Sequence, residues 1–320
     1  MHSLTANKQA LTIEAPAKIN LYLAVKGRRA DGYHEIESLM HKIDLADHLH
    51  IRLGGAKGIR LTCSGAELPE DETNLAYRAA RLFLEMTGLQ DIIQFGVEIV
   101  LEKKIPVAAG LGGGSSDAAA VLRGLNSLFK TRLNPARLSS LARLLGADVS
   151  FFVTDDIASW ATGIGDCLTP AASLGPCRIV LVNPGFAVAT RWVYENLALT
   201  TAANPYILPR NSQAQLPLLM KNFFDSAKVL PLSLLSAGMV NDLEAVTIKQ
   251  YPAVAEIKDK LLNDGACGVL MSGSGPTVFG LFAGHNEAEN EKAVRSYKEF
   301  AQRFGNKVFL TRPCAKPAPL

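Results

Sequence analysis

The sequence predicts a two-domain protein of the α+β class, and three observations carry this prediction. The chain has 320 residues, more than one domain of common size contains. Segments with the two-residue period of strands are interspersed with segments of helical period, and no internal repeat is evident. Hydrophobic residues make up 48% and charged residues 20%, a globular composition that excludes disordered and collagen-like proteins.

The first half is predicted to mix strands with helices. Strand-like patterns cover residues 11–25, with one interruption at Pro16, then residues 35–53 and residues 95–101. An amphipathic helix is expected from Asn74 to Met86 and should end at Gly88.

A glycine-rich turn, Gly110 to Gly114, follows the last of these strands, and the two serines after it lead into a second helix. Asn134 followed by Pro135 predicts the start of a third helix, because Asn caps free N–H groups and Pro suits the first helical position. That helix should end at Gly146.

The second half is predicted to begin in a segment rich in Gly and Pro, which gives domains of residues 1–164 and 165–320. Residues 200–232 lack a clear period and are interpreted as an insertion in the second domain. The other predicted elements are a buried strand at 178–182, a helix at 253–262, and two strands around a glycine turn at 268–282.

Charge and cysteine content exclude several classes of protein. The net charge of +3 is too balanced to predict a nucleic-acid partner. Five widely spaced cysteines show no ligand spacing, so we expect neither a metal site nor a disulfide framework. No apolar run approaches the length of a membrane span, and the N-terminus lacks the apolar core of a signal peptide. We therefore expect a cytoplasmic protein without a membrane partner.

The segment PVAAGLGGGSS is the first candidate for chemistry, because it lies between a strand and a helix. Glycines let a ligand approach the backbone, and a helix N-terminus offers free N–H groups and a positive dipole end, which favours phosphate. Neither the Walker pattern nor the dinucleotide fingerprint fits its spelling; the alternative is a plain tight turn. The predicted phosphate-binding residues are Pro106, Val107, Ala108, Ala109, Gly110, Leu111, Gly112, Gly113, Gly114, Ser115 and Ser116.

Two weaker candidates involve charged side chains. Lys18 and Asn20 are two residues apart on a predicted strand and so share a face, either as a functional pair or as solvated polar residues. Asp148 is placed just past a helix end, where the helix dipole does not favour a carboxylate. It gains significance if Lys18 lies nearby, because a cation keeps a carboxylate ionised.

Two turns can be interpreted either as purely structural or as parts of a binding site. Asp31 and Gly32 predict a hairpin turn, after which Tyr33 and His34 are either ordinary strand residues or a pair that stacks on a planar base. The second glycine turn, Ser272 to Thr277, either closes over a ligand or joins a hairpin, and the pattern favours the hairpin.

Three segments together resemble the signature motifs of the GHMP kinases. They are PAKINL near the start, PVAAGLGGGSSDAAA in the middle and MSGSGPTVF near the end, in the family's order and spacing, and the resemblance spans about residues 11–285. The strings DGYHEIESLM at 31–40, LGGGSSDAA at 111–119, GADVSFFV at 146–153 and NDLE at 241–244 resemble those members that phosphorylate the 2-hydroxyl of a cytidine diphosphate-linked methylerythritol in the non-mevalonate isoprenoid pathway.

The resemblance implies a fold, cofactors and roles for residues. The N-terminal domain should be like domain 2 of ribosomal protein S5 and the C-terminal domain ferredoxin-like, with ATP, Mg²⁺ and a small-molecule substrate in the cleft between them. Lys18 and Asp148 look like the catalytic pair, with Asn20 orienting either the acceptor hydroxyl or the aspartate. Tyr33 and His34 look like the cytosine readers.

Tyr194 is the best candidate for an aromatic that faces the tyrosine across the cytosine ring, with Trp192 as the alternative. The chain departs from the family's usual pattern at Ser150, where proline is expected, and in the 200–232 segment. Two rival functions remain: another alcohol kinase of the superfamily, acting on homoserine or mevalonate, and a nucleotide-binding protein without catalysis. We expect a monomer or weak homodimer.

Overall fold

The computed structural model describes residues 9–197, 229–232, 235, 238–284 and 287–315. Most of the predicted 200–232 insertion lies outside the described residues. Within them, the two larger of three β-sheets pack face to face, and each of the two carries helices on its outer face. The predicted α+β class is confirmed.

The first sheet is built around a long hairpin. Its strands are β1 (Ala10–Arg28), β2 (His34–Gly54), β3 (Gly58–Ser64), β4 (Gly96–Glu102), β5 (Ala158–Thr162) and β6 (Cys167–Pro170). β1 pairs with one edge of β2, while β4 and β5 share the other edge; β3 extends the sheet in parallel to β4, and β6 pairs with β5. The two predicted strand regions before residue 54 are thus two long antiparallel strands.

Pro16 shifts the register of β1 instead of ending it. The pairing with β2 slips between Pro16 and Ala17, so Ile13 packs against the helices while Ile19 packs against the second sheet. This slip matters for the site, because it sets which face of β1 carries the residues after Pro16.

Helices cover the outer face of the first sheet. They are α1 (Leu75–Thr87), α2 (Leu89–Ile92), α3 (Gly113–Leu128), α4 (Pro135–Leu145) and α5 (Ala147–Val153). The predicted cap of α4 is present, since the Asn134 side chain accepts from Arg137 N at 2.9 Å. The Asn74 side chain caps α1 in the same way, because it accepts from Ala76 N at 2.9 Å. The sequence signals for helix ends were therefore reliable here.

The second sheet has the strand order β10-β11-β8-β12 and is antiparallel throughout. This order, with helices after the first and third strands, is the ferredoxin-like arrangement. The strands and helices of this half are β7 (Ser173–Leu174), β8 (Cys177–Val182), α6 (Thr190–Glu195), β9 (Val229–Leu230), α7 (Glu244–Gln250), α8 (Ala253–Asn263), β10 (Gly268–Met271), β11 (Val278–Ala283), α9 (Glu287–Phe304) and β12 (Val308–Thr311).

The two halves are joined through β1. Leu23 forms a parallel bridge with Asn241, and the Asp242 carboxylate accepts from Val25 N at 2.7 Å. The predicted boundary after residue 164 falls in the turn between β5 and β6, two strands of the first sheet, and stays a prediction. No helix among the described residues has the length and apolar character to cross a bilayer.

Candidate active site

A cleft of about 640 Å³ opens where the two sheets meet. Its walls come from distant parts of the chain: β1 and β2, the glycine-rich loop, the start of α1, the start of α5, and the loop between β10 and β11. Every predicted site segment reaches this cleft except the exposed turn that carries Tyr33 and His34.

The glycine-rich loop adopts a backbone that side chains resist. Gly110 has a φ of 77° and Gly112 a φ of 73°, and a Cβ at Gly110 would lie 2.0 Å from the Ser272 carbonyl oxygen. Gly112 caps α3, so the helix begins at Gly113, two residues before the predicted start. The first N–H groups of α3 have no helical acceptor and are available to an anion.

The two serines of this loop differ. Ser115 lines the cleft. Ser116 is 1% exposed, its N–H donates to Gly112 O at 2.9 Å, and it lines a different, small cavity on the far side of α3. Ser116 therefore does not line the cleft, whereas Asp117, one residue later, does. A role of Ser116 in phosphate binding stays a prediction.

Lys18 and Asp148 come together as expected. Lys18 Nζ lies 3.7 Å from Asp148 Oδ2 and donates to Asn20 Oδ1 at 2.6 Å. The Lys18 side chain is 5% exposed and that of Asp148 is 38% exposed. The cation is therefore fixed within the protein, while the carboxylate is open to a ligand in the cleft.

Asn20 is held in one orientation by a residue that sequence reasoning missed. Its Nδ2 donates to Ser38 Oγ at 2.8 Å, and Ser38 Oγ donates to Tyr22 O at 2.7 Å. Because the amide nitrogen faces Ser38, the amide oxygen faces Lys18. Nothing in the sequence around residue 38 indicates this role, since the contact depends on the pairing of β1 with β2.

The helical context of Asp148 adds to the expectation for this residue. Gly146 ends α4 and directly precedes α5, so Asp148 lies just past the end of α4, as expected, and also in the first turn of a second helix. A helix N-terminus stabilises a carboxylate. α5 thus supports a charge that the sequence pattern had placed in an unfavourable position.

On the other side of the cleft, His34 stacks on Tyr194. Their ring centroids are 4.9 Å apart with an interplanar angle of 27°. Burial lowers the pKa of His34, and Arg28 adds to that shift. Burial raises the pKa of Tyr194, with a contribution from Asp148. Both rings are therefore held in their neutral forms.

Tyr33 is 61% exposed, and no aromatic ring lies against it within the described residues. The expected placement of Tyr194 opposite the tyrosine is thus replaced by contact with the neighbouring histidine. Trp192, the alternative to Tyr194, instead packs its edge on Tyr251 at 6.4 Å.

The loop between β10 and β11 is both a hairpin and a wall of the cleft. Ser272 Oγ donates to Gly110 O at 2.9 Å, which joins the two glycine-rich segments. Asn241 Nδ2 donates to Met271 O and Gly273 O, each at 2.8 Å. The pattern predicted only the hairpin; the contact with the first loop requires the folded chain.

Sequence reasoning also missed one wall of the cleft, which leads into α1. Because it lies about 35 residues before the glycine loop, no local pattern links the two. Its lining residues are Leu68, Pro69, Thr73, Asn74 and Leu75.

Comparisons with known proteins agree with this geometry. The model of the GHMP kinase N-terminal domain matches residues 74–156, and that of the GHMP kinase C-terminal domain matches residues 220–302. A 4-diphosphocytidyl-2-C-methyl-D-erythritol kinase from Geobacter metallireducens is 46% identical over 280 residues, covering 88% of this chain and 92% of that protein. The enzyme of the same name from Syntrophotalea carbinolica is 44% identical, covering 93% of this chain and 97% of its own.

Solved structures give the same result. The crystal structure of a 4-(cytidine 5'-diphospho)-2C-methyl-D-erythritol kinase matches with a TM-score of 0.72 at 35% identity, over 95% of this chain and 99% of that one. A homoserine kinase from Cytophaga hutchinsonii matches with a TM-score of 0.71 at 20% identity, over 100% and 99% of the two chains, which supports the shared fold alone. The chain belongs to the GHMP kinases and, within them, to the family of 4-diphosphocytidyl-2-C-methyl-D-erythritol kinases.

Proposed function

We propose that this chain transfers the γ-phosphoryl group of ATP to the 2-hydroxyl of 4-diphosphocytidyl-2-C-methyl-D-erythritol. The observation that carries the proposal is the Lys18–Asp148 pair, 3.7 Å apart, in the same cleft as the N-terminus of α3. One cleft thus holds groups suited to a phosphate chain beside groups suited to an alcohol. Family membership brings ATP-dependent phosphotransfer, and the named relatives supply the acceptor.

The phosphates would bind at the glycine-rich loop. The free N–H groups of Gly113, Gly114 and Ser115 lie at a positive helix end, where anions bind. The base would lie along the wall formed by residues 68–75, which reaches the same cleft. Phosphoryl transfer depends mainly on positioning and charge stabilisation, and this loop supplies both.

The acceptor hydroxyl would bind at Asp148. Its carboxylate takes the proton as the hydroxyl oxygen bonds to the γ-phosphorus, and the bond from that phosphorus to the ADP oxygen breaks. Lys18, whose Nζ lies 3.7 Å from the carboxylate, favours the negative charge that develops on the attacking oxygen. Asn20 orients the lysine, since its amide is fixed by Ser38.

The cytidine end would bind at the aromatic residues. A spacing of 4.9 Å between His34 and Tyr194 leaves no room for a third ring between them. The cytosine would therefore stack first on the exposed Tyr33. His34 must then move away from Tyr194 before the Tyr194 ring can cover the other face of the cytosine. Base–aromatic stacking is worth about 1–3 kcal/mol per base, which favours the cytosine in place of His34 at this ring.

Mg²⁺ would enter as the complex with ATP. No group of three or more His, Cys, Asp or Glu side chains within the described residues is arranged to hold a metal, so we assign it no protein ligands. Its chemistry would be neutralisation of phosphate charge. A cytoplasmic location, a monomer or weak homodimer, and the absence of a nucleic-acid partner remain predictions.

A direct test measures ADP release with Mg-ATP and three acceptors side by side: 4-diphosphocytidyl-2-C-methyl-D-erythritol, mevalonate and homoserine. We expect turnover with the cytidyl acceptor only, and its loss in Asp148→Asn. Turnover with another alcohol would contradict the proposed substrate but not the ATP site. Binding of ATP without turnover on any acceptor would favour a non-catalytic protein.

A further inference from the structure

A buried ionic cluster lies beneath the glycine-rich loop, apart from the Lys18 group. Lys103 follows β4, Asp47 belongs to β2 and Asp117 to the second turn of α3. Lys103 Nζ donates to Asp117 Oδ2 at 2.7 Å and also bonds Asp47 Oδ2. None of the three side chains is more than 4% exposed. With both carboxylates ionised, the cluster carries a net charge of −1 in the protein interior, which is unfavourable.

The two carboxylates are not equally stabilised. Asp47 accepts from Lys103 and also, through Oδ1, from Lys104 N at 2.6 Å and Ile105 N at 2.8 Å. Among the described residues, Lys103 is the only cation that donates to Asp117, and the buried Oδ1 of Asp117 accepts no hydrogen bond. Donors favour the charged form of a carboxyl group and burial disfavours it. Asp117 is therefore the member of the cluster that binds a proton.

The electrostatics agree with this assignment. Burial raises the pKa of Asp117 to about 7; the Lys103 charge opposes that shift, while the Asp47 charge and a hydrogen bond to Asp47 add to it. The pKa of Lys103 is raised, because Asp117 and Asp47 together outweigh the effect of its burial. The lysine thus stays charged while Asp117 titrates.

Asp117 also faces the place where phosphates would bind. It lines the cleft together with Lys103 and Gly113, and a Cβ on Gly113 would lie 3.2 Å from Lys103 Nζ. The other charged and titratable groups around it are Lys18 and Asp148 across the cleft and Cys63 and Glu70 on the β3 side. A polyphosphate bound at the start of α3 adds negative charge next to Asp117, and a like charge disfavours the ionised carboxylate.

We propose that Asp117 takes up a proton from solvent when a nucleotide binds at the glycine-rich loop, so that the nucleotide complex contains Asp117 as a neutral acid. The proposal rests on the proposed function in that it takes this loop to be the nucleotide site. The added proton brings the net charge of the three-residue cluster to zero. Asp117 would thereby adjust nucleotide affinity to pH without contacting the reacting atoms.

The test is calorimetric titration of the full chain with ADP and Mg²⁺ at pH 7.5, in three buffers of different ionisation enthalpy. The dependence of the observed heat on the buffer gives the number of protons bound. We expect the wild-type protein to take up about 0.3–0.7 proton more than Asp117→Asn, which mimics the neutral acid. Both proteins bind the same nucleotide, so subtracting one proton uptake from the other cancels the protons that the nucleotide itself binds or releases. Asp155→Asn, which neutralises an exposed carboxylate outside the cleft, should behave as wild type.

A second measurement needs no variant. The dissociation constant of ADP for the wild-type protein should increase by about two- to fivefold per pH unit near pH 7.5, because the slope equals the number of protons taken up. Equal proton uptake in wild type and Asp117→Asn, or an affinity independent of pH, would overturn the proposal and leave the nucleotide site intact. Failure to bind ADP would contradict the proposed function itself. That result is distinguished from ADP binding without proton uptake because no heat of binding is observed in any buffer.

Discussion

At the scale of single residues, the site depends on a short chain of polar contacts. Lys18, Asn20 and Ser38 form successive hydrogen bonds of 2.6 and 2.8 Å, and Lys18 approaches Asp148. The first two residues and the aspartate could be selected from the sequence because their motifs are distinctive. Ser38 could not, since a serine in a strand has no pattern that separates a structural hydroxyl from a solvated one.

Asp148→Asn should lower kcat by about two to four orders of magnitude, the range for a general base, with little change in the KM for ATP. The amide keeps the shape of the side chain but cannot accept the proton. Steady-state kinetics with both substrates varied gives the two constants. Asp155→Asn, an exposed aspartate near α5, serves as the control and should match wild type; near-normal turnover of Asp148→Asn would remove Asp148 from this role.

Tyr33→Ala should chiefly weaken binding of the cytidyl substrate, by about 1–3 kcal/mol if one base stacks on this ring. The ring is 61% exposed, so the loss of a structural contact is small and thermal stability should not change. Titration calorimetry with the cytidyl substrate measures the effect directly. Unchanged affinity would place the cytosine elsewhere in the cleft.

At the scale of elements, two short segments determine the geometry of the cleft: the glycine-rich loop and α5. The existence of the loop and of the helix after it followed from the sequence. The start of that helix and the existence of α5 did not follow from the sequence. Gly146 ends α4 and directly precedes α5, and a glycine that ends one helix does not indicate that another begins at the next residue. Placement of Asp148 and exclusion of Ser116 both follow from those element boundaries.

Gly110→Ala and Gly114→Ala should differ in their effect on the stability of the protein. A Cβ at Gly110 would clash with the Ser272 carbonyl at 2.0 Å, whereas one at Gly114 meets no atom within 4 Å. We expect Gly110→Ala to reduce the free energy of unfolding by roughly 1–3 kcal/mol and Gly114→Ala to leave it unchanged. Thermal denaturation measures this; equal melting temperatures would mean that the two loops are not in contact in solution.

Lys42→Met should loosen α5 at its C-terminal end. Lys42 Nζ donates to Thr154 O at 2.7 Å, where α5 ends, and lies 5.0 Å from the centroid of the Phe151 ring. Burial lowers the pKa of Lys42 to about 8, so the lysine is still mostly charged at neutral pH and favours the helix C-terminus. Its loss should cost about 1 kcal/mol of unfolding free energy, measured by denaturant titration at pH 7. The exposed Lys57→Met is the control; an equal effect in both would contradict the capping role.

At the scale of the whole molecule, the packing of the two sheets produces the cleft. Their shared core includes Ile19 and Leu39 from the first sheet and Leu181 and Phe279 from the second. His41 adds a polar link from the first sheet to β7, which pairs with β9 outside the second sheet. Its Nε2 accepts from Leu174 N at 3.0 Å, while Nδ1 donates to Lys42 O at 2.7 Å. The ring must stay neutral to accept at one nitrogen, so this link depends on pH.

The stability of the protein should therefore fall in mild acid. Burial lowers the pKa of His41 from 6.5 to about 4, so between these values the unfolded chain binds a proton that the folded one does not. Stability is then lost as the pH falls from about 6.5 to 4, by up to about 1.4 kcal/mol per pH unit. Denaturant unfolding at several pH values measures the slope, and His41→Gln should reduce it. A slope unchanged by that substitution would assign the acid sensitivity to other groups.

The sequence by itself predicted the α+β class, the Asn134 cap, the glycine-rich loop and the candidates Lys18, Asn20 and Asp148, whose roles stay predictions. These features depend on local periodicity, backbone freedom and distinctive motifs. The tertiary structure alone decided which groups meet. The Pro16 register shift orients β1, the pairing of β2 brings Ser38 to Asn20, and the approach of the second sheet brings Ser272 to Gly110. Contacts between residues far apart in sequence follow from the packing of a shared core, which no local pattern records.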